Sequence, residues 1–277
     1  MVERNIPLGG MISDYSRIAD RYDGTRDLPD DKLAICYQRL IESGMIPRAG
    51  GILDAGCGTG QVSLPLAAAG YQVVGIDVSA AMVALARAKV RPGWRADYRV
   101  GDARDIQADT GGLDAAVVSK LFQHVQDWRR ACRELIRVVR PGGCIVQVNE
   151  RGAFGNAVRR DFSRRADERG YRGRYPGLNP HAEGDGDLTA FMQSHGCRPV
   201  LVDMSDLRWN ASIEYGEALR RIEEKLFAEF WYLPDDVHQE LVAATRAWVD
   251  AQPQGAATIQ HLKPYLQVQA FQTPLRP

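Results

Sequence analysis

The chain of 277 residues has no uninterrupted apolar stretch approaching the roughly 18 residues that a membrane-spanning helix needs. Its N-terminus, MVERNIPLGGMISDYSRIADRYDG, lacks an apolar core flanked by basic residues, so no leader and no membrane partner are expected, and the expected location is the cytoplasm. Net charge is missing too: 35 basic residues balance 35 acidic ones. The whole-molecule field that gathers nucleic acid is therefore absent, and nucleic acid is not an expected partner. Cysteine is scarce and oddly numbered. Cys36, Cys57, Cys132, Cys144 and Cys197 show no C-x-x-C spacing, which argues against a disulfide framework and against a metal site. No internal repeat or long low-complexity tract is present.

What is there alternates. GILDA, YQVVGID, YRVGDARDI, LDAAVVSK and CIVQVNE read as short apolar strands, the fourth apolar enough to be covered on both faces. Between them QVSLPLAAAG, stopped by Gly70, AAMVALARAKV, capped by Ser79, and WRRACRELIRVV, capped by Asp127 and ended by RPGG, carry helical spacing. Strand and helix in turn from residue 49 to 150 imply right-handed crossovers and a Rossmann-like, doubly wound, mostly parallel α/β sheet. Residues 1–48 form an expected N-terminal helical arm or lid, and residues 151–187 an insertion. Residues 188–277 complete the core with a helix, a strand in RPVLVDMS and a last strand in PYLQVQAF, interrupted by a helical cap at about 208–260. Within that cap, helices are predicted over 212–231 and 235–250, with Asp235 as a cap.

The run LDAGCGTGQ places Gly56, Gly58 and Gly60 directly after a strand. A parallel strand that ends in glycines offers backbone N–H groups to a ligand beyond its carboxyl end, and each absent Cβ lets the ligand approach the main chain. Dinucleotide sites show G-x-G-x-x-G; here the third glycine comes one residue early and Gln61 stands in its place, which disfavours a nicotinamide or flavin oxidoreductase. Asp77 ends the second strand and Asp102 the third. One acid at the end of the strand after a glycine turn is suited to the two hydroxyls of a ribose, and two such acids along one sheet edge describe a nucleoside pocket. A noncatalytic module that keeps this pocket as a binding surface stays open as an alternative.

With these residues in hand, the sequence resembles the class I S-adenosylmethionine-dependent methyltransferases of the ubiquinone/menaquinone-methyltransferase-like group, also called the methyltransferase type 11 group. LDAGCGTG is similar to that family's first motif, VVGIDVSAAMVALARAK to its acidic second, VGDARDI to its third, and LDAAVVSKLFQHVQDWRRACRELIRVVRPGG to its fourth strand and following helix. YSRIADRYD and FWYLPDDVHQELVAATRAWVD extend the likeness. The resemblance implies S-adenosyl-L-methionine as cofactor, S-adenosyl-L-homocysteine as product, and a seven-stranded sheet with an antiparallel last strand. It implies that Gly56, Gly58 and Gly60 line the methionine portion, that Asp54 organises their loop, and that Asp77 binds the ribose hydroxyls. Asp102 and the Ala103 backbone would meet the adenine, Val78 and Met82 would sandwich it, Ser119 and Lys120 would border the methionine end, and Tyr22 would close over it from the arm. Where the family often has two histidines after the fourth strand, this chain has Gln123 and His124.

A sulfonium methyl is already an electrophile, so alignment and exclusion of water are the main demands on the protein. Where the acceptor must lose a proton, His124 is the first candidate base, since an imidazole titrates near neutrality; packing or a backbone hydrogen bond is its other reading. Glu150 is the second candidate. Phe154, Phe162, Tyr171, Tyr175, Trp209, Phe230, Trp231 and Tyr232 lie in the cap segments and suit an aromatic or apolar small-molecule acceptor, as in quinone or secondary-metabolite biosynthesis. The helical spacing of Tyr215, Leu219, Ile222, Leu226 and Phe230 equally describes ordinary core. Eight arginines between Arg151 and Arg174 read either as an anion-recognising patch or as a solvated helix face. Methylation of RNA or protein gains no support from the neutral charge. The assembly state is open, a homodimer included.

Overall fold

The computed structural model describes residues 15–25, 28–153, 155–171, 176–178 and 186–275. The five expected strands of the first half are β1 (Gly51–Ala55), β2 (Gln72–Asp77), β3 (Ala96–Val100), β4 (Leu113–Val118) and β5 (Val139–Arg151). With β6 (Arg198–Val200) and β9 (Tyr265–Gln272) they form one seven-stranded sheet in the order β3-β2-β1-β4-β5-β9-β6. The pairs among β1 to β5 are parallel, and β9 runs antiparallel to β6. The fold is thus the doubly wound, mostly parallel sheet that the alternation implies, with its order reversing between β1 and β4. That switch point is where parallel sheets leave a crevice beyond their strand ends.

Before the sheet come α1 (Ala19–Tyr22), behind a 3-10 turn at Tyr15–Ile18, and α2 (Asp30–Glu42). The crossovers are α3 (Leu64–Ala68), α4 (Ala80–Ala88) and α5 (Trp128–Val138). Ser79 caps α4 by accepting the Met82 N–H, and Asp127 caps α5 by accepting the Arg130 N–H, both as read from the sequence. The helix foreseen over QVSLPLAAAG shrinks to the five residues of α3, because turns from Gly60 to Ser63 use up its start. α5 stops at Val138, just ahead of RPGG as expected, but Val139 is its C-cap and Arg140 to Gly143 already belong to β5. Trp128, Cys132, Leu135 and Val139 are buried with Leu53, Ala116, Val118 and Ile145 in the core on that side of the sheet.

Over its described residues the chain divides into two compact units. The sheet unit comprises Asp14–Asn149, Pro176–Leu207 and Leu266–Pro277, and includes α7 (Gly186–Ser194). The helical unit draws on Glu150–Tyr175 and Arg208–Tyr265, with α6 (Ala157–Glu168), α8 (Tyr215–Glu223) and α9 (Asp235–Asp250). Its core gathers Val158, Phe162, Leu219, Ile222, Phe230 and Leu241.

The helix predicted over 212–231 is corrected. Ala211–Glu214 is a strand, β7, paired antiparallel with β8 (Ile259–Leu262), a partner too distant in sequence to show in a local pattern. α8 then ends where Lys225 takes a left-handed conformation (φ 51°). The Lys225 N–H returns to Ile222 O and the Leu226 N–H to Arg221 O, closing the helix in a Schellman turn. A 3-10 turn at Ala228–Phe230 follows. At α9 the cap position belongs to Pro234, and Asp235 is the first helical residue, where its charge suits the N-terminal dipole.

Candidate functional site

The glycine turn after β1 is held to the end of β2. The N–H groups of Gly56 and Cys57 both donate to Ile76 O, at 2.8 and 2.9 Å. Gly56, Gly58 and Gly60 all have positive φ, at 72°, 51° and 80°. At Gly56 a Cβ would stand 2.7 Å from Leu121 Cδ1, so the loop after β4 packs directly on the turn because no side chain is there. At Gly58 a Cβ would meet nothing within 4 Å among the described residues, so the bare backbone faces space there that a side chain would fill.

Beside that space lies Asp77. Its Oδ2 accepts the Gly58 N–H and its Oδ1 the Ser79 N–H, each at 2.9 Å. An ionised carboxylate offers about four lone-pair positions, so acceptor capacity for a pair of hydroxyls is left after both bonds. Burial pushes the Asp77 carboxyl above its ordinary range, opposed by those same two N–H groups. Val78 next to it is about half exposed at 46%, whereas Met82 is buried. Asp54 is fully buried, with neither oxygen hydrogen-bonded among the described residues. Burial pushes its carboxyl up to about 7, the Ser63 hydroxyl opposing and the charge of Asp77 adding. Next along the edge, Asp102 is gripped at both oxygens by the Arg104 guanidinium, at 2.7 to 3.0 Å, and accepts the Arg104 N–H at 2.8 Å. That grip holds the Asp102 carboxyl below the usual range. Ala103 between them is buried.

Beyond β4, Ser119 is half-buried and Lys120 takes a left-handed conformation (φ 52°), its N–H donating to Asn149 Oδ1 at 2.9 Å. His124 ends a 3-10 turn at Phe122–His124, and its Nε2 lies 3.0 Å from the Tyr15 hydroxyl. The segment 15–25 is tied down at several points. Ser16 Oγ sits 2.7 Å from Ser79 Oγ, and the Asp23 carboxylate takes both the Thr59 hydroxyl and the Lys89 ammonium. Tyr22 lies in this segment, its ring edge-on to Tyr15 at 5.5 Å.

The sheet unit therefore brings together Gly56, Gly58, Gly60 and Asp77, with the Ser79 cap of α4, and it sets Asp102 and His124 at the ends of β3 and β4. Glu150 belongs to the helical unit. It is buried, and its Oε1 accepts the Ala153 N–H at 2.8 Å, as a turn cap does. Sequence reasoning missed Tyr15, Asp23, Thr59 and Lys89. The motif YSRIADRYD contains two of them, but nothing in its spacing says which tyrosine reaches His124.

In the helical unit, Phe162 and Phe230 are core, 4.7 Å apart, and Tyr171 packs against the same cluster. Phe154 and Tyr175 lie outside the described residues, as do Arg172 and Arg174. Arg159, Arg164, Arg165 and Arg169 are each paired with an acid, Glu229, Asp161 with Glu168, Asp161 and Glu240 in turn, which spends charge that an anion patch would need. All five cysteines are buried thiols. Among the described residues no helix is long and apolar enough to cross a membrane, and no cluster of His, Cys, Asp and Glu could hold a metal ion.

Known proteins show the same organisation. A family model described as "Methyltransferase domain" matches residues 52–143. The chain is 32% identical over 158 residues to a demethylmenaquinone methyltransferase of Thermus thermophilus, covering 54% of this chain and 72% of that protein. A demethylmenaquinone methyltransferase of Clavibacter sepedonicus is 32% identical over 140 residues, covering 50% of this chain and 56% of the relative. The match thus spans only about half the length of several of the curated relatives. The crystal structure of the YcgJ protein from Bacillus subtilis shares the fold, with a TM-score of 0.56 at 16% identity over 90% of this chain and 100% of that one. By its glycine turn, its strand-end acids and these relatives, the chain belongs to the class I S-adenosylmethionine-dependent methyltransferases.

Proposed function

We propose that the sheet unit binds S-adenosyl-L-methionine and that the chain transfers the methyl group to a small-molecule acceptor, with S-adenosyl-L-homocysteine as product. The observation that carries this reading is the Asp77 carboxylate, anchored to Gly58 and Ser79 beside an open, side-chain-free stretch of backbone. Its remaining lone pairs suit two neighbouring hydroxyls, and the bare turn suits the portion of the ligand next to the sugar. The residues present fit the cofactor.

When bound, the cofactor supplies a methyl group on a sulfonium centre. The chain's part is to hold and to shield. Asp77 takes the ribose, Val78 and Met82 flank the base, and the adenine amino group shares Asp102 with Arg104, which keeps that carboxylate ionised and fixed in direction. Ser119 and Lys120 border the methionine end, and Tyr22 covers it. The ties from Ser16 and Asp23 hold the segment 15–25 against the Ser79 cap and the glycine turn, a placement suited to excluding water during transfer.

The acceptor we propose is aromatic or apolar, of the quinone class, because two relatives are methyltransferases of demethylmenaquinone. Two measurements test the reading. Calorimetry should show S-adenosyl-L-homocysteine binding and no binding of NAD; the reverse preference overturns the cofactor. Incubation with S-adenosyl-L-methionine and reduced naphthoquinones should yield products heavier by one methylene, and unchanged masses across that series overturn the acceptor class.

A further inference from the structure

Tyr15 and His124 are 109 residues apart in sequence and meet at 3.0 Å between the phenol oxygen and Nε2. The side-chain amide nitrogen of Gln123 stands 3.1 Å from the same ring nitrogen. An amide NH2 donates, and the neutral tautomer that satisfies both contacts accepts at Nε2 and carries its proton on Nδ1. In that tautomer Nε2 has no hydrogen to give, and the Tyr15 hydroxyl is the donor in its contact. The two rings pack edge to face at 5.1 Å, and Ser16, the next residue, is tied to the cap of α4. The ring nitrogen that would serve as base is thus already covered by a hydroxyl of the arm.

We propose that Tyr15 and His124 form a proton relay for a hydroxyl-bearing acceptor, with Gln123 as the positioning residue that selects the tautomer; this rests on the methyltransferase reading. The acceptor's O–H passes its proton to the Tyr15 oxygen while the Tyr15 proton moves to His124 Nε2. The electron pair of the broken O–H bond stays on the acceptor oxygen, Tyr15 ends the step as a neutral phenol, and the imidazolium later returns its proton to water. Tyr15 is the group that touches the reacting hydroxyl, and His124 is the base behind it.

Histidine-selective 15N labelling is informative in a chain with five histidines. With S-adenosyl-L-homocysteine bound, His124 should show a protonated Nδ1 and a bare Nε2, and Tyr15→Phe should shift the Nε2 resonance and the ring's titration midpoint. An Nε2–H tautomer, or a spectrum indifferent to Tyr15→Phe, overturns the relay. In turnover of 1,4-naphthohydroquinone, Tyr15→Phe should lower kcat about 100-fold with little change in KM and should flatten the acid limb of the pH profile. The double variant Tyr15→Phe/His124→Ala should be no slower than His124→Ala alone, because the two act as one unit. Wild-type turnover in Tyr15→Phe, or additive losses in the double variant, defeats the proposal. Failure of the unmutated protein to methylate this probe removes the hydroxylated acceptor and the relay with it. Calorimetric binding of S-adenosyl-L-homocysteine reports separately on the cofactor reading.

Discussion

The two units bury charge in different ways. In the sheet unit the fully buried Asp54 has no basic side chain beside it among the described residues, Asp77 accepts the backbone N–H groups of Gly58 and Ser79, and burial pushes both carboxyls upward. In the helical unit the buried Glu229 faces Arg159, whose guanidinium also lies over the Phe227 ring at 4.4 Å, and Asp161 is shared by Arg164 and Arg165. Asp54 and Asp77 are left short of countercharge near the glycine turn, whereas Glu229 and Asp161 are neutralised within the packing of the helical unit. Strain of the first kind gathers where a ligand is to be met, whereas charge pairing of the second kind holds helices in register.

The sharpest way to break this contrast is to damage each unit alone. Phe162→Ala should cost about 3–5 kcal/mol, since the ring is fully buried against Phe230 and His238. Chemical denaturation should show that loss, and calorimetry on the folded fraction should show unaltered S-adenosyl-L-homocysteine affinity.

Asp54 gives the next effect, and its sign follows from linkage. The folded-state pKa is raised, so the fold keeps the proton while the unfolded chain releases it. Stability from this group is full below pH 3.8 and is lost as pH rises to about 7. The loss should be of order 4 kcal/mol. Asp54→Asn should therefore unfold at a higher temperature than the parent at pH 8 and at nearly the same temperature near pH 3.

Asp77→Ala, by contrast, should leave the fold close to intact and weaken cofactor binding about 100-fold, the value of two hydroxyl bonds to a charged acceptor. Unchanged affinity by calorimetry would remove Asp77 from the site. Smallest is Gly58→Ala, where no described residue crowds the new methyl group but the left-handed backbone costs about 1–2 kcal/mol. Its Tm should drop slightly, while S-adenosyl-L-homocysteine affinity should fall further than the stability loss explains, because the methyl group stands in the open space beside Asp77.

The strands around the glycine turn were legible because each is an apolar run closed by glycine or by an acid within a few residues. The caps at Ser79 and Asp127 were legible for the same reason: a capping bond spans three positions. β7 was not, since Ile213 sits inside a pattern that also suits a helix, and only pairing with Gln260 and its neighbours decides between them. The end of α8 at Lys225 was hidden as well, because a lysine there carries none of the glycine signal that marks most left-handed helix ends. Among the site residues, Asp77 and the glycines could be named from spacing, whereas Arg104 could not be seen to hold Asp102, nor Tyr15 to reach His124.

Sequence alone therefore determined the alternation of strands and helices from β1 to β5, the bare turn after β1, the acid that ends β2 and the one that follows β3. Those features arise from interactions between near neighbours along the chain, and periodicity and residue type carry them. Tertiary structure decided which tyrosine of the arm covers His124, that Asp77 is fastened to Gly58, and that residues 211–214 extend to meet residues 259–262. Each of these depends on closing a long loop onto one particular partner among many of similar chemistry. That choice is made by the packing of the whole fold and leaves no local trace.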